Sequence, residues 1–148
     1  MLLEKLKNRL RYVEQVAAGA VASMLQMEAL SYDEDTGVYV LRAKTEEWMR
    51  NTNGTLHGGM CATIADQAMG VVAYCHRPGD GMAPTITMQT EYHRPLIPGE
   101  DVICRVRMQS VTRTLLRAAV ELYRESIPDK LCVSASATFF YVDPDRRR

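Results

Sequence analysis

From Gly58 to about Tyr74 the chain is rich in alanine, methionine, isoleucine and valine, with no proline and no interior charge except Asp66. Such a composition favours helix, and a helix that is apolar on nearly every side has to be buried. Whatever this chain folds into must therefore supply a wrapping for that helix. The small residues Ala62, Ala65, Ala68, Gly70 and Ala73 would let the wrapping approach closely.

Material for the wrapping lies on both sides. Val38 and Val40 alternate with Tyr39 and Leu41 behind the turn-forming run Asp33-Glu34-Asp35-Thr36-Gly37, which predicts a first hairpin over roughly 25–44. Past the helix, alternation recurs in four stretches: Ile86 to Tyr92, Val102 to Met108, Leu116 to Leu122, and Leu131 to Tyr141. Breakers separate them at 95–99, 111–114 and 126–129. Near the start, Leu6, Leu10, Val13, Ala17, Ala20 and Met24 recur at spacings of three and four, with Lys5, Lys7, Arg9 and Arg11 off the stripe. This predicts an amphipathic helix over 1–24 that packs on its own domain, since the stripe holds alanines and no aromatic membrane anchor.

An antiparallel sheet with one apolar face and one very apolar helix has an economical solution, the sheet wrapped around the helix. The expectation is a single α+β domain over 1–148: a six-stranded antiparallel sheet around a central helix, an additional N-terminal helix, and a flexible tail over 142–148. A sheet of this kind leaves edges that pairing with a second copy would cover, so a dimer is expected.

Lysine plus arginine equals aspartate plus glutamate at 18 each, so no global field draws the chain to nucleic acid or an anionic membrane. Apolar stretches are broken by charge too early for a membrane span or a secretory signal. Cys61, Cys75, Cys104 and Cys132 are widely spaced within apolar patterns, which predicts reduced, buried thiols and a cytoplasmic location. His76 and His93 lack a second ligand at metal spacing, so no metal site is expected.

The chemistry-bearing segment is Asn51-Thr-Asn-Gly-Thr-Leu-His57-Gly58-Gly59, followed by Asp66. Unpaired N–H groups at a helix start, with the positive end of the dipole behind them, stabilise developing negative charge on oxygen. Gly58 has no Cβ to obstruct a carbonyl, and the Asn51 amide can offer a second donor. Asp66 costs several kcal/mol of lost solvation unless it is paired, hydrogen-bonded or used. It can act as a general base or as a nucleophile; alternatively it faces a polar rim, and the glycines only permit tight packing. Eight residues of helix separate Gly58 from Asp66 by about 12 Å. If both serve one reaction, they must come from different chains.

The string NGTLHGG, then Asp66, Thr85 and the strand end Tyr92-His93-Arg94-Pro95, resembles the PaaI-like branch of the hotdog-fold acyl-CoA thioesterases over roughly 51–141. The resemblance implies hydrolysis of acyl-CoA thioesters without metal or redox cofactor, in a homodimer or dimer of dimers. It implies that Asn51 and the Gly58 amide polarise the thioester carbonyl and that Asp66 of the neighbouring subunit is base or nucleophile. Thr85 would orient water or the carboxylate, and His57 would be mainly structural. Gly59, Met69 and Gly70 are the candidate substrate-lining positions, and Arg94 the candidate contact for CoA phosphate. Two other classes remain on the same scaffold: a hydroxyacyl-CoA hydratase or dehydratase, and a non-catalytic acyl-CoA-binding module.

Overall fold

The computed structural model describes residues 1–77 and 81–146. In chain order the elements are α1 (Leu2–Val16), α2 (Val21–Met24), β1 (Glu28–Asp33), β2 (Val38–Ala43), α3 (Gly58–His76), β3 (Thr85–Tyr92), β4 (Val102–Val111), β5 (Leu115–Arg124) and β6 (Ile127–Phe140). Short 3-10 turns lie at Glu47–Met49 and Pro144–Arg146. The strands form one six-stranded antiparallel sheet in the order β1-β2-β4-β5-β6-β3.

The apolar run sits where its composition requires. Ile64, Ala65, Ala68, Met69, Val72 and Ala73 of α3 are buried in one core with Leu41, Cys104, Val106, Val120, Leu122 and Phe139 from the sheet. The helix keeps one half-exposed stripe, Ala62, Asp66, Gln67, Gly70 and Tyr74, at helical spacing. This is the hotdog arrangement. Leu6 and Leu10 of α1 enter the same core, so the N-terminal helix packs on its own domain, against β1 and α3.

Three expectations about the elements are corrected. The helix over 1–24 is broken: α1 ends at Val16, Gly19 takes a left-handed φ of 79°, and a single turn, α2, follows. The alanines kept the apolar spacing while the glycine released the backbone. Strand β6 begins at Ile127, inside the expected breaker, because Arg124 pairs with Ile127 across a tight turn. Pro128 is accommodated there because the register shifts between Tyr123 and Arg124, where no ladder N–H is required. The expected tail starts bound: Val142 exchanges backbone hydrogen bonds with Met82 at 2.7 and 3.2 Å. Arg147 and Arg148 lie outside the described residues.

All four cysteines are free and buried. Burial pushes the Cys61 thiol up to about 11 and the Cys104 thiol up to about 12, so neither is a nucleophile near neutral pH. His93 Nε2 shares a hydrogen bond with Ser134 Oγ at 2.9 Å, and His76 Nε2 with the Tyr39 hydroxyl at 2.9 Å. Burial, and then the neighbouring Lys5 ammonium, hold His76 below its usual 6.5. As pH falls below 6.5 the unfolded chain takes up a proton that the folded chain resists. Stability therefore declines with falling pH in that window and levels off below the folded-state value. Thermal melts at about pH 7.5 and 5.5 should show this loss, and His76→Gln should shrink it; an undiminished loss in the variant would assign the effect to other groups.

Candidate active site

The loop before α3 is held by its own polar groups. Asn51 Oδ1 accepts from the N–H groups of Asn53 and Thr55 at 2.9 and 3.1 Å, and its Nδ2 donates to Thr55 Oγ1 at 2.8 Å. One Nδ2 proton of Asn51 is left over, since an amide carries two. The loop is tied down where the helix begins: Leu56 N–H donates to Leu96 O and His57 N–H to Met49 O, both at 2.8 Å.

His57 is the N-cap of α3, and its Nδ1 accepts the Gly59 N–H at 2.9 Å. The Met60 and Cys61 N–H groups go to the His57 carbonyl at 2.9 and 3.0 Å. Of the first four N–H groups of the helix, only that of Gly58 finds no acceptor among the described residues. The positive end of the helix is thereby concentrated on one donor. Gly59, expected to meet substrate, has its N–H committed to His57.

Strand β3 braces both halves of the segment. At its start, Thr85 Oγ1 donates to Asp66 Oδ1 at 2.7 Å. At its end, the Tyr92 hydroxyl donates to the Gly58 carbonyl at 2.7 Å, and a Cβ on Gly58 would lie 3.5 Å from the Tyr92 ring. Sequence reasoning gave Tyr92 no role in the site. Its signal was an aromatic closing the strand just before His93-Arg94-Pro95, which spacing alone does not connect to a glycine in another element. Asp66 is half-buried and hydrogen-bonded, so the solvation cost anticipated for it is met in part by Thr85.

Asp66 and Thr85 open onto a groove of about 980 Å³ between α1, α3 and the segment leading into β3. Gln67 and Gly70 line it, as do Val13 and Phe139. Met69, expected on its wall, is 0% exposed and belongs to the core. The helix turns it toward the sheet while presenting Gly70, one turn after Asp66, to the groove. Arg94 is not in the groove and donates from Nη1 to Leu131 O at 2.8 Å. Gly58 and Asp66 sit on one helix, about 12 Å apart, and are not brought together within the chain.

The fold and this pairing of a glycine helix start with a hydrogen-bonded helical carboxylate define a hotdog domain of the thioesterase type. Residues 53–133 match the family model of the Thioesterase superfamily, and the chain belongs to that family. Human acyl-coenzyme A thioesterase 13 is 32% identical over 88 residues, covering 58% of this chain and 61% of the human protein. The chain thus spans about three fifths of the length of that curated relative. The solved structure of zebrafish thioesterase superfamily member 2 is 26% identical, with a TM-score of 0.75 over 92% of this chain and 98% of that one. A Ralstonia eutropha protein described as phenylacetic acid degradation-related shares the fold, with a TM-score of 0.77 at 20% identity over 92% and 98% of the two chains. The family match and these likenesses place the chain among the hotdog-fold members of the Thioesterase superfamily.

Proposed function

We propose that this protein hydrolyses acyl-CoA thioesters to the free acid and CoA, and that Asp66 of one subunit and the Gly58 N–H of another act on the same thioester. The observation that carries this is the Asp66–Thr85 hydrogen bond of 2.7 Å at the mouth of an open groove, with the Gly58 N–H at the start of α3, which has no acceptor among the described residues, at the opposite end of the same strand.

Strand β3 ends the sheet, so one of its edges has no partner among the described residues, and Ile86 and Tyr92 on it are 53% and 55% exposed. Antiparallel pairing of this edge with a second copy, centred near Met88, would set the Thr85 end of one chain against the Tyr92 end of the other. Because Thr85 holds Asp66 and Tyr92 holds Gly58, the same pairing supports a site built from Asp66 of one subunit and Gly58 of its partner. A homodimer has two such sites, and a dimer of dimers has four.

In that site the thioester carbonyl accepts from the Gly58 N–H and from the spare Asn51 Nδ2 proton. Asp66 either takes a proton from water as its oxygen attacks the carbonyl carbon or attacks that carbon itself. The oxyanion that forms is held by the same two donors. Collapse breaks the C–S bond and CoA leaves as thiolate, so no strong general acid is needed; where Asp66 is the nucleophile, water then cleaves the acyl–Asp66 anhydride, releasing the free acid and restoring the carboxylate. Thr85 keeps the carboxylate aimed, and His57 fixes the helix start by holding the Gly59 N–H. Hydratase chemistry is not favoured, because it wants a histidine beside the aspartate and His57 Nδ1 is occupied at the cap. The reduced, buried thiols support a cytoplasmic setting.

A panel of acyl-CoA thioesters with a thiol-trapping chromophore tests the reaction. Release of free CoA in proportion to free acid is expected. Binding without CoA release, or conversion of an enoyl-CoA to its hydroxyacyl-CoA, would contradict it.

A further inference from the structure

We infer that the far end of the groove selects acyl groups that carry a distal carboxylate, received by the Arg9 guanidinium of α1; this rests on the thioesterase function proposed above. The groove runs from Asp66 past Gly70 to Tyr74, two turns further along α3 and about 12 Å away, on the order of a medium-length acyl chain. Its character changes along that length. Near Asp66 it is bounded by Gly70, Val71 and Phe139; near Tyr74 it is bounded by Lys5, Arg9 and Arg77. Asp66 is the one acidic residue among its described walls.

Arg9 is the informative cation. Its guanidinium lies 3.7 Å from the centre of the Tyr74 ring, and that of Arg77 lies 3.6 Å from the same centre. One ring face has no room for two guanidinium groups at that height, so they occupy opposite faces and Tyr74 is clamped between them. Stacking fixes the Arg9 plane but satisfies none of its N–H groups. Arg9 Nε is shielded from solvent without a hydrogen-bond partner, and no carboxylate pairs with Arg9 among the described residues. Lys5, by contrast, donates to the Cys75 carbonyl at the end of α3, at 2.8 Å. A planar donor fork with its orientation set and no acceptor among the described residues is suited to a carboxylate. A fully apolar acyl tail entering the same groove would cover the half-buried guanidinium without offering it an acceptor, which is unfavourable.

The test compares suberyl-CoA with octanoyl-CoA, acyl groups of equal chain length that differ in the terminal carboxylate. Wild-type protein is expected to show at least about a tenfold higher kcat/KM on suberyl-CoA, as one charge-assisted hydrogen bond allows. Arg9→Met should cut the suberyl-to-octanoyl ratio about tenfold or more, and Arg9→Lys should restore part of it, with thermal melts reporting whether each variant folds. An unchanged ratio in Arg9→Met, or a wild type that prefers octanoyl-CoA, overturns the inference. An equal rise in KM for both thioesters assigns Arg9 to a phosphate of CoA and likewise overturns it. Octanoyl-CoA turned over without any preference sinks this inference alone, whereas no CoA release from any thioester sinks the proposed function with it.

Discussion

Asp66→Asn is expected to lower kcat by about a hundred- to ten-thousandfold with KM little altered, the range associated with a positioned acid–base group. The substitution is nearly isosteric. The Asn carboxamide oxygen can still accept from Thr85 Oγ1, which donates to Asp66 Oδ1 at 2.7 Å, so the helix and strand should keep their contact. What disappears is the capacity to take a proton or to attack carbon. Melting temperature should stay close to wild type, and single-turnover measurements should place the loss in the chemical step. Wild-type turnover in this variant would remove Asp66 from the mechanism.

Gly58→Pro is expected to cost about a hundred- to a thousandfold in kcat, the usual effect of removing one oxyanion donor. Gly58 is the first residue of α3, where proline is well tolerated because the helix itself does not use that N–H. His57 before it already has φ −59° and ψ 136°, the extended conformation proline demands of its predecessor. A Cβ at 58 would sit 3.5 Å from Tyr92, an ordinary contact. Gly58→Ala keeps the N–H and adds only that contact, so it separates loss of the donor from crowding. Near-wild-type kcat in the folded proline variant would show that this N–H does not face the oxyanion.

Both substitutions fall in the part of the chain that sequence reasoning identified, and the reason is physical. A glycine pair at a helix start and one charge in an apolar helix are departures from what packing alone would select, and such departures are visible locally. The six strands were legible for a similar reason, since alternation such as that of Val102, Cys104, Val106 and Met108 reports a face directly. Features created by contacts between distant segments were not. Met69 and Gly70 are adjacent in sequence, and only the position of the sheet decides that one is core and the other wall. Arg9 reads as one more solvent-facing cation off an apolar stripe, yet it lies on Tyr74 of a different helix. Tyr92 meets Gly58 because β3 runs antiparallel to α3, a relation no spacing encodes. The break at Gly19 was hidden because Ala17 and Ala20 continue the apolar spacing through it.

The central claim is that the segment from Asn51 to Asp66 serves two sites, its glycine end in one and its carboxylate end in the other. Mixing the folded but inactive Asp66→Asn and Gly58→Pro proteins under conditions that exchange subunits tests it most directly. In each hybrid dimer one site inherits both lesions and the other neither. Random exchange makes half the dimers hybrids, so about a quarter of wild-type activity should return. If Gly58 and Asp66 instead work within a single chain, every site in the mixture carries one lesion, and activity would stay at the level of the separate variants.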